Sequence, residues 1–154
     1  INSKLEATIL GAETGDNQPT GMLNGITATS VTDFAGVCNL EAAIEDANVI
    51  GECKNVKSNK AKAGFRNMAK SAKSTQLVME GSMIDGTPVL NTSHVADKNF
   101  IYGDWSNLAI GQWGAIDLTV DPYTKAAQGQ VRLVINAYFD AKVLRPEAFA
   151  FGTL

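Results

Sequence analysis

The chain has 154 residues, 45% hydrophobic and 19% charged, with a net charge of −3 at pH 7. That is ordinary globular composition, enough to bury about 70% of the unfolded surface without help from disulfides or metal. The small negative charge excludes a general pull towards nucleic acid or an anionic membrane, and no apolar run approaches the ~20 residues of a membrane span. The chain opens at Ile1 without the basic, apolar and small-residue pattern of a secretory leader, and it is expected to be a piece of something longer.

Residues 1–10 carry Leu5, Ile9 and Leu10 among polar neighbours, which suits the tail of a helix. Residues 11–25 hold Gly11, Gly15, Gly21 and Gly25 with Pro19 and an Asp16-Asn17 pair, and they read as a loop. A phosphate cradle would need a strand before the glycines and a Lys-Ser or Lys-Thr at a helix start after them, and neither is there. Asn39 is expected to cap the first clear helix, whose apolar stripe is Leu40, Ala43, Ile44 and Ala47. Glu41, Glu45 and Asp46 take its wet side. Residues 49–53 read as a short strand. Ser58 or Asn59 caps a second helix with the stripe Ala61, Phe65, Met68 and Ala72, leaving Lys62, Arg66, Lys70 and Lys73 solvated. Residues 76–79 read as a strand or a helix end, and residues 86–91 as a turn entering a strand that Pro88 can start or edge.

The stretch from Asn99 to Val120, continued to Phe151, organises the rest. Both tryptophans, Trp105 and Trp113, lie in it. An aromatic and β-branched run stops at Gly103-Asp104. Ile116, Leu118 and Val120 then alternate with Asp117 and Thr119, the period of a half-buried strand. Val131, Leu133, Ile135, Ala137 and Phe139 alternate with Arg132, Asn136 and Asp140. The connection 121–129 is too short for a parallel crossover, so the two strands are expected to pair antiparallel, with the Leu133, Ile135 and Phe139 face buried. Arg145-Pro146-Glu147 makes a corner before a last short strand at 148–151.

Charge is segregated along the chain. Residues 1–52 carry a balance of −7, residues 53–79 a balance of +7, and residues 80–154 a balance of −3. The basic segment lacks the interleaved aromatics of a base-stacking platform. It reads as a solvated face, one that suits an acidic surface on a neighbouring subunit.

No marked site for chemistry appears. His94 is the one histidine, and a Ser-His-Asp relay needs partners that nothing local supplies. Cys38 and Cys53 lack metal-ligand neighbours and read as reduced, buried thiols. Asp85 and Asp104 sit beside glycines as turn residues, and Asp117 with Asp121 is a weak pair. No catalytic, cofactor-binding or metal-binding residue is assigned, and no enzyme activity is expected.

Three segments resemble the C-terminal part of the tailed-bacteriophage major capsid protein family, in that family's order. They are Gly11 to Leu23, a glycine-rich turn; Asp85-Gly86-Thr-Pro88-Val-Leu90; and Tyr102-Gly103-Asp104-Trp105 through Gly114 and residues 116–120 to Arg145-Pro146-Glu147-Ala148-Phe149. The resemblance implies an α+β capsid-fold fragment, a mixed sheet flanked by helices with an antiparallel hairpin from a second subdomain. Residues 1–154 would form one truncated unit, with 22–102 and 145–154 in an axial-type domain and 116–140 in part of a peripheral-type domain. An arm, an extended loop and most of a long spine helix would lie upstream. The implied role is a structural subunit of a phage or prophage shell, self-assembling in rings around packaged DNA. Its partners would be itself and other virion components, with no specific nucleic-acid site and no membrane. It would be made in the bacterial cytoplasm and located in the virion capsid. Two alternatives remain at this point. One is a bacterial nanocompartment shell protein; the other is a small α/β hydrolytic or sugar-binding domain using His94 and Asp104. Finding His94 buried away from any acid and serine would discriminate against the second.

Overall fold

A computed structural model describes residues 1–14 and 17–154; Gly15 and Asp16, part of the expected glycine-rich loop, lie outside the described residues. The elements in chain order are α1 (Asn2–Ile9), β1 (Thr29–Ser30), α2 (Phe34–Asp46), β2 (Cys53–Ser58), α3 (Asn59–Asn67), β3 (Met79–Glu80), β4 (Met83–Ile84), β5 (Thr87–Thr92), β6 (Asn99–Asp104), β7 (Leu108–Asp121), β8 (Arg132–Val143) and β9 (Phe149–Thr153). The fold is α+β, as expected.

Seven strands form a mixed sheet in the order β1-β9-β6-β2-β5-β4-β3, and β7 with β8 forms a separate two-stranded sheet. Within the large sheet β2 pairs parallel with β5, and β1 parallel with β9; the remaining neighbours are antiparallel. The parallel step from β2 to β5 needs a long crossover. It contains α3, β3 and β4.

Successive residues on β6 supply the two sides of the core, because strand side chains alternate between faces. Phe100 packs with Val37 and Leu40 of α2 and Ala61 and Phe65 of α3. The rings of Phe65 and Phe100 meet edge to face at 5.0 Å. Its neighbour Ile101 joins Leu10, Met22, Leu23, Val56 and Phe149 on the opposite face. Gly152 is required by close approach: a Cβ there would stand 2.2 Å from the Phe100 ring.

Several boundaries differ from expectation. The first clear helix starts at Phe34, five residues before Asn39, and its cap is Asp33, whose carboxylate accepts from the Gly36 N–H at 2.9 Å. Asn39 is interior and exposed. Residues 49–52 are not a strand; Cys53 begins one that runs to Ser58. Ser58 does cap α3, accepting from the Ala61 N–H at 3.2 Å, but that helix ends at Asn67, so Ala72 lies outside it. Lys57 departs furthest. It sits on a fully buried strand position at 0% exposure, not on a solvated face. The two cysteines are free and half-buried, more open than the expected core thiols.

The hairpin is antiparallel, as read from the short connection. Leu118 lies opposite Ile135 and Val120 opposite Leu133, which puts all four on one face. The register slips between Trp113 and Asp117, where three β7 residues oppose one on β8, and Gly114 takes a φ of +73°. The expectation that this face is buried fails. Leu118, Val120, Leu133 and Ile135 are 54–61% exposed; among the described residues no second sheet packs over this face. The part nearer the large sheet does meet other elements: Ile135, Ala137 and Phe139 line a groove with Ile1, Lys4, Leu5 and Thr8 at α1, and Leu108 and Val143 pack against the Ile101 cluster.

Candidate assembly surfaces

The residues considered for chemistry are dispersed. His94 lies in the loop after β5, and the fold does bring it a serine. Its Nε2 stands 3.0 Å from Ser3 Oγ on α1. The neighbouring acid, Glu6, accepts instead from the Thr92 hydroxyl. These contacts tie one side of α1 to the end of β5. Asp104 is elsewhere, accepting from Ser106 N–H at 3.0 Å and Asn107 Nδ2 at 2.9 Å to fasten the turn after β6. Asp121 binds the Tyr123 and Thr124 N–H groups at the hairpin turn, and the Thr124 hydroxyl and these amides hold its carboxyl below the usual range. Asp85 sits at φ +45° between β4 and β5 and pairs with Lys70 at 2.9 Å, which raises the lysine. Among the described residues no group of three or more His, Cys, Asp or Glu is placed to hold a metal ion. No helix among them is long and apolar enough to cross a membrane.

Glu41, Tyr102 and Lys57 are shifted furthest, each chiefly through burial. The Glu41 carboxyl on α2 is pushed up to about 7 by burial, with Asp85 and Glu45 adding to it, and its Oε1 is buried without a hydrogen-bond partner. Tyr102 on β6 is pushed up to about 12. Lys57 is pulled down to about 8 by burial and then by Lys62 and Arg66. Its ammonium touches Met79 Sδ at 3.2 Å and lies 4.7 Å from the centre of the Phe65 ring. A cation facing a ring and a thioether is partly compensated. It has no carboxylate partner among the described residues.

The larger surfaces are of another kind. An apolar groove of about 460 Å3 opens between α1 and the start of β7, lined by Leu5, Ile9, Leu90, Trp105, Leu108 and Ile110. Leu90 and Ile110 are more than half exposed there. The hairpin carries Ile116, Leu118, Val120, Leu133 and Ile135 in the open, and Tyr123 projects at its turn, 85% exposed. A lone two-stranded sheet is marginal in water, and contiguous open apolar surface marks a place where another chain sits. Surface of this class suits cover by protein beyond the described residues.

Comparison with known proteins gives that class its family. The model of the phage capsid family matches residues 2–154, and the chain belongs to that family. The major capsid protein of Halomonas phage phiHAP-1 is 27% identical over 143 residues, covering 89% of this chain and 24% of that protein. Among solved structures, the capsid of an empty GTA particle computed with C5 symmetry matches 97% of this chain and 61% of its own, with a TM-score of 0.71 at 20% identity. Gordonia phage Cozz matches 98% of this chain and 58% of its own, with a TM-score of 0.73 at 14% identity. A virus-like particle from Pyrococcus furiosus matches 97% of this chain and 62% of its own, at 0.65 and 15%. The structural likeness establishes the fold. The chain spans about a quarter of the curated relative and about three fifths of the solved chains.

Proposed function

We propose that this chain is part of a structural shell subunit of a bacteriophage or prophage capsid, acting by self-association around packaged DNA. The observation that carries the reading is the uncovered hairpin. Its alternating strands place Leu118, Val120, Leu133 and Ile135 on one exposed face, and burying apolar area is the main drive of protein association. Family membership supports the same role. On this reading the seven-stranded unit, residues 22–102 and 145–154, is the axial-type domain, and 116–140 belongs to the peripheral-type domain. The partners are further copies and other virion components, and the place of action is the virion capsid after synthesis in the host cytoplasm. A nanocompartment shell has no observation in its favour over a phage shell. The hydrolytic alternative keeps a serine beside His94, but Asp104 is engaged in fastening the turn after β6.

The test is the association state of the purified chain, by sedimentation velocity across a range of concentrations. Small oligomers are expected, short of closed particles, and Leu133→Asp with Ile135→Asp should dissolve them. A chain that stays monomeric throughout, or oligomers indifferent to this pair, would overturn the reading.

A further inference from the structure

Charge is segregated in space as well as in sequence. Both α2 and α3 pack on the same face of the large sheet, through Leu40 and Phe65 in one cluster. They sit towards opposite ends of β2. Cys53, the first residue of that strand, lines one cavity with Ile44 and Glu45 of α2. At its other end Ser58 caps α3, accepting from the Ala61 N–H at 3.2 Å. A six-residue strand spans about 20 Å, so the two helices present opposite charge towards the two ends of this strand.

The outer side of α2 exposes Glu45 and Asp46 around Ala42 and Ala43. The outer side of α3 exposes Arg66 and Ala63, with Lys62 half-buried beside them. Among the described residues neither set forms an ion pair, although the Arg145 guanidinium donates to the Ala47 and Asn48 carbonyls at the end of α2. The ion pairs among the described residues are Lys60 with Asp97 and Lys70 with Asp85. Ala42, Ala43 and Ala63 keep both helix surfaces low, so two helices can approach with their charged residues flanking the contact. Patches of opposite sign on two separate helices complement a second copy, not themselves. A contact between two different patches is heterologous, and repeating it closes a ring when the rotation allows.

We propose that the acidic outer face of α2 on one copy seats against the basic outer face of α3 on the next, forming a head-to-tail contact that fixes the direction of the ring. The inference rests on the shell-subunit reading and adds which surfaces meet and by what force. Electrostatic complementarity contributes partner orientation and association rate more than raw affinity. The apolar hairpin supplies area, and the helix pair supplies register. Duplex DNA is the competing occupant of the basic face. Its phosphates would attract α3 but would give the acidic face of α2 no part in binding.

The experiment uses the 154-residue chain and two charge-reversed variants, one with Lys62→Glu and Arg66→Glu, the other with Glu45→Lys and Asp46→Lys. Glu45, Asp46 and Arg66 are exposed and Lys62 is half-buried, and circular dichroism checks that each variant is folded. Sedimentation velocity should show wild-type association weakening about tenfold or more between about 50 mM and about 500 mM salt. Each variant alone should lose association at low salt, and an equimolar mixture of the two should recover it. Recovery on mixing is the outcome that a folding defect cannot imitate. Association unchanged in both variants would overturn this inference while leaving the shell-subunit reading intact. So would loss in both without recovery on mixing, and so would duplex binding that disappears in the Lys62/Arg66 variant while its self-association persists. A wild-type chain monomeric at every salt concentration would overturn the inference together with the function it rests on.

Discussion

Replacing Lys57 with Met should make the protein more stable. The ammonium is fully buried, with only a sulfur and a ring face beside it. Burial, reinforced by Lys62 and Arg66, lowers it from 10.5 to about 8. A base lowered in the folded state is bound more tightly to its proton when unfolded. The folded protein therefore gains stability as pH rises from 8 to 10.5, and below 8 it carries the full penalty. At about 1.4 kcal/mol per pH unit the gap corresponds to about 3 kcal/mol. Methionine keeps the length and apolar stem while removing the charge, so Lys57→Met should stabilise at pH 7 by about 1–3 kcal/mol. Urea unfolding of both proteins at pH 7 and near pH 10 measures it. Groups common to the two cancel in the difference, which should shrink markedly at the higher pH. The reasoning is refuted if Met destabilises at pH 7, or if the difference is the same at both values. Either result would mean that the contacts with Met79 and Phe65 outweigh the cost of desolvation.

Three further outcomes are expected. Glu41 has a folded value raised from 4.5 to about 7, so it opposes folding increasingly as pH rises through that window; Glu41→Gln should stabilise at pH 8, with the advantage fading towards pH 4.5, as read from thermal melts at the two values. Phe65→Ala, at a position 0% exposed and stacked against Phe100, should cost about 3–5 kcal/mol in urea unfolding, whereas Leu133→Ala, 61% exposed, should cost far less there and act on association instead. An esterase, glycosidase and phosphatase screen should be blank, and a signal lost in His94→Ala would show that the Ser3–His94 contact does chemistry after all.

Where one physical signal dominated, the sequence was sufficient. The short connection and period of two placed β7 and β8 antiparallel, with the right residues sharing each face. Ser58 was recognisable as a cap because a helix followed it at once. Asp33 was missed because Gly36 and Phe34 disguise a first turn before the regular stripe begins at Leu40. The burial of Lys57 was illegible in a run of bases, since local charge implies water and only β5, β6 and α3 closing around β2 exclude it. The Ser3–His94 contact joins residues 91 positions apart, and no spacing rule reaches that far. The openness of the hairpin was hidden for the converse reason: alternation tells which residues share a face, never whether anything covers it.

The place of β9 has a consequence for synthesis. This strand lies between β1 and β6, inside the sheet, yet its residues Phe149–Thr153 follow those of β1 by more than a hundred positions. On the ribosome β6 must wait with one edge unsatisfied through the whole making of β7 and β8. Unpaired edges recruit strands from other chains, and crowded synthesis of a coat protein supplies many identical ones. Insertion of β9 then acts as a timer. The sheet closes only after the long hairpin has emerged, so a stalled or clipped chain should be sorted towards aggregation or proteolysis before it can join its neighbours.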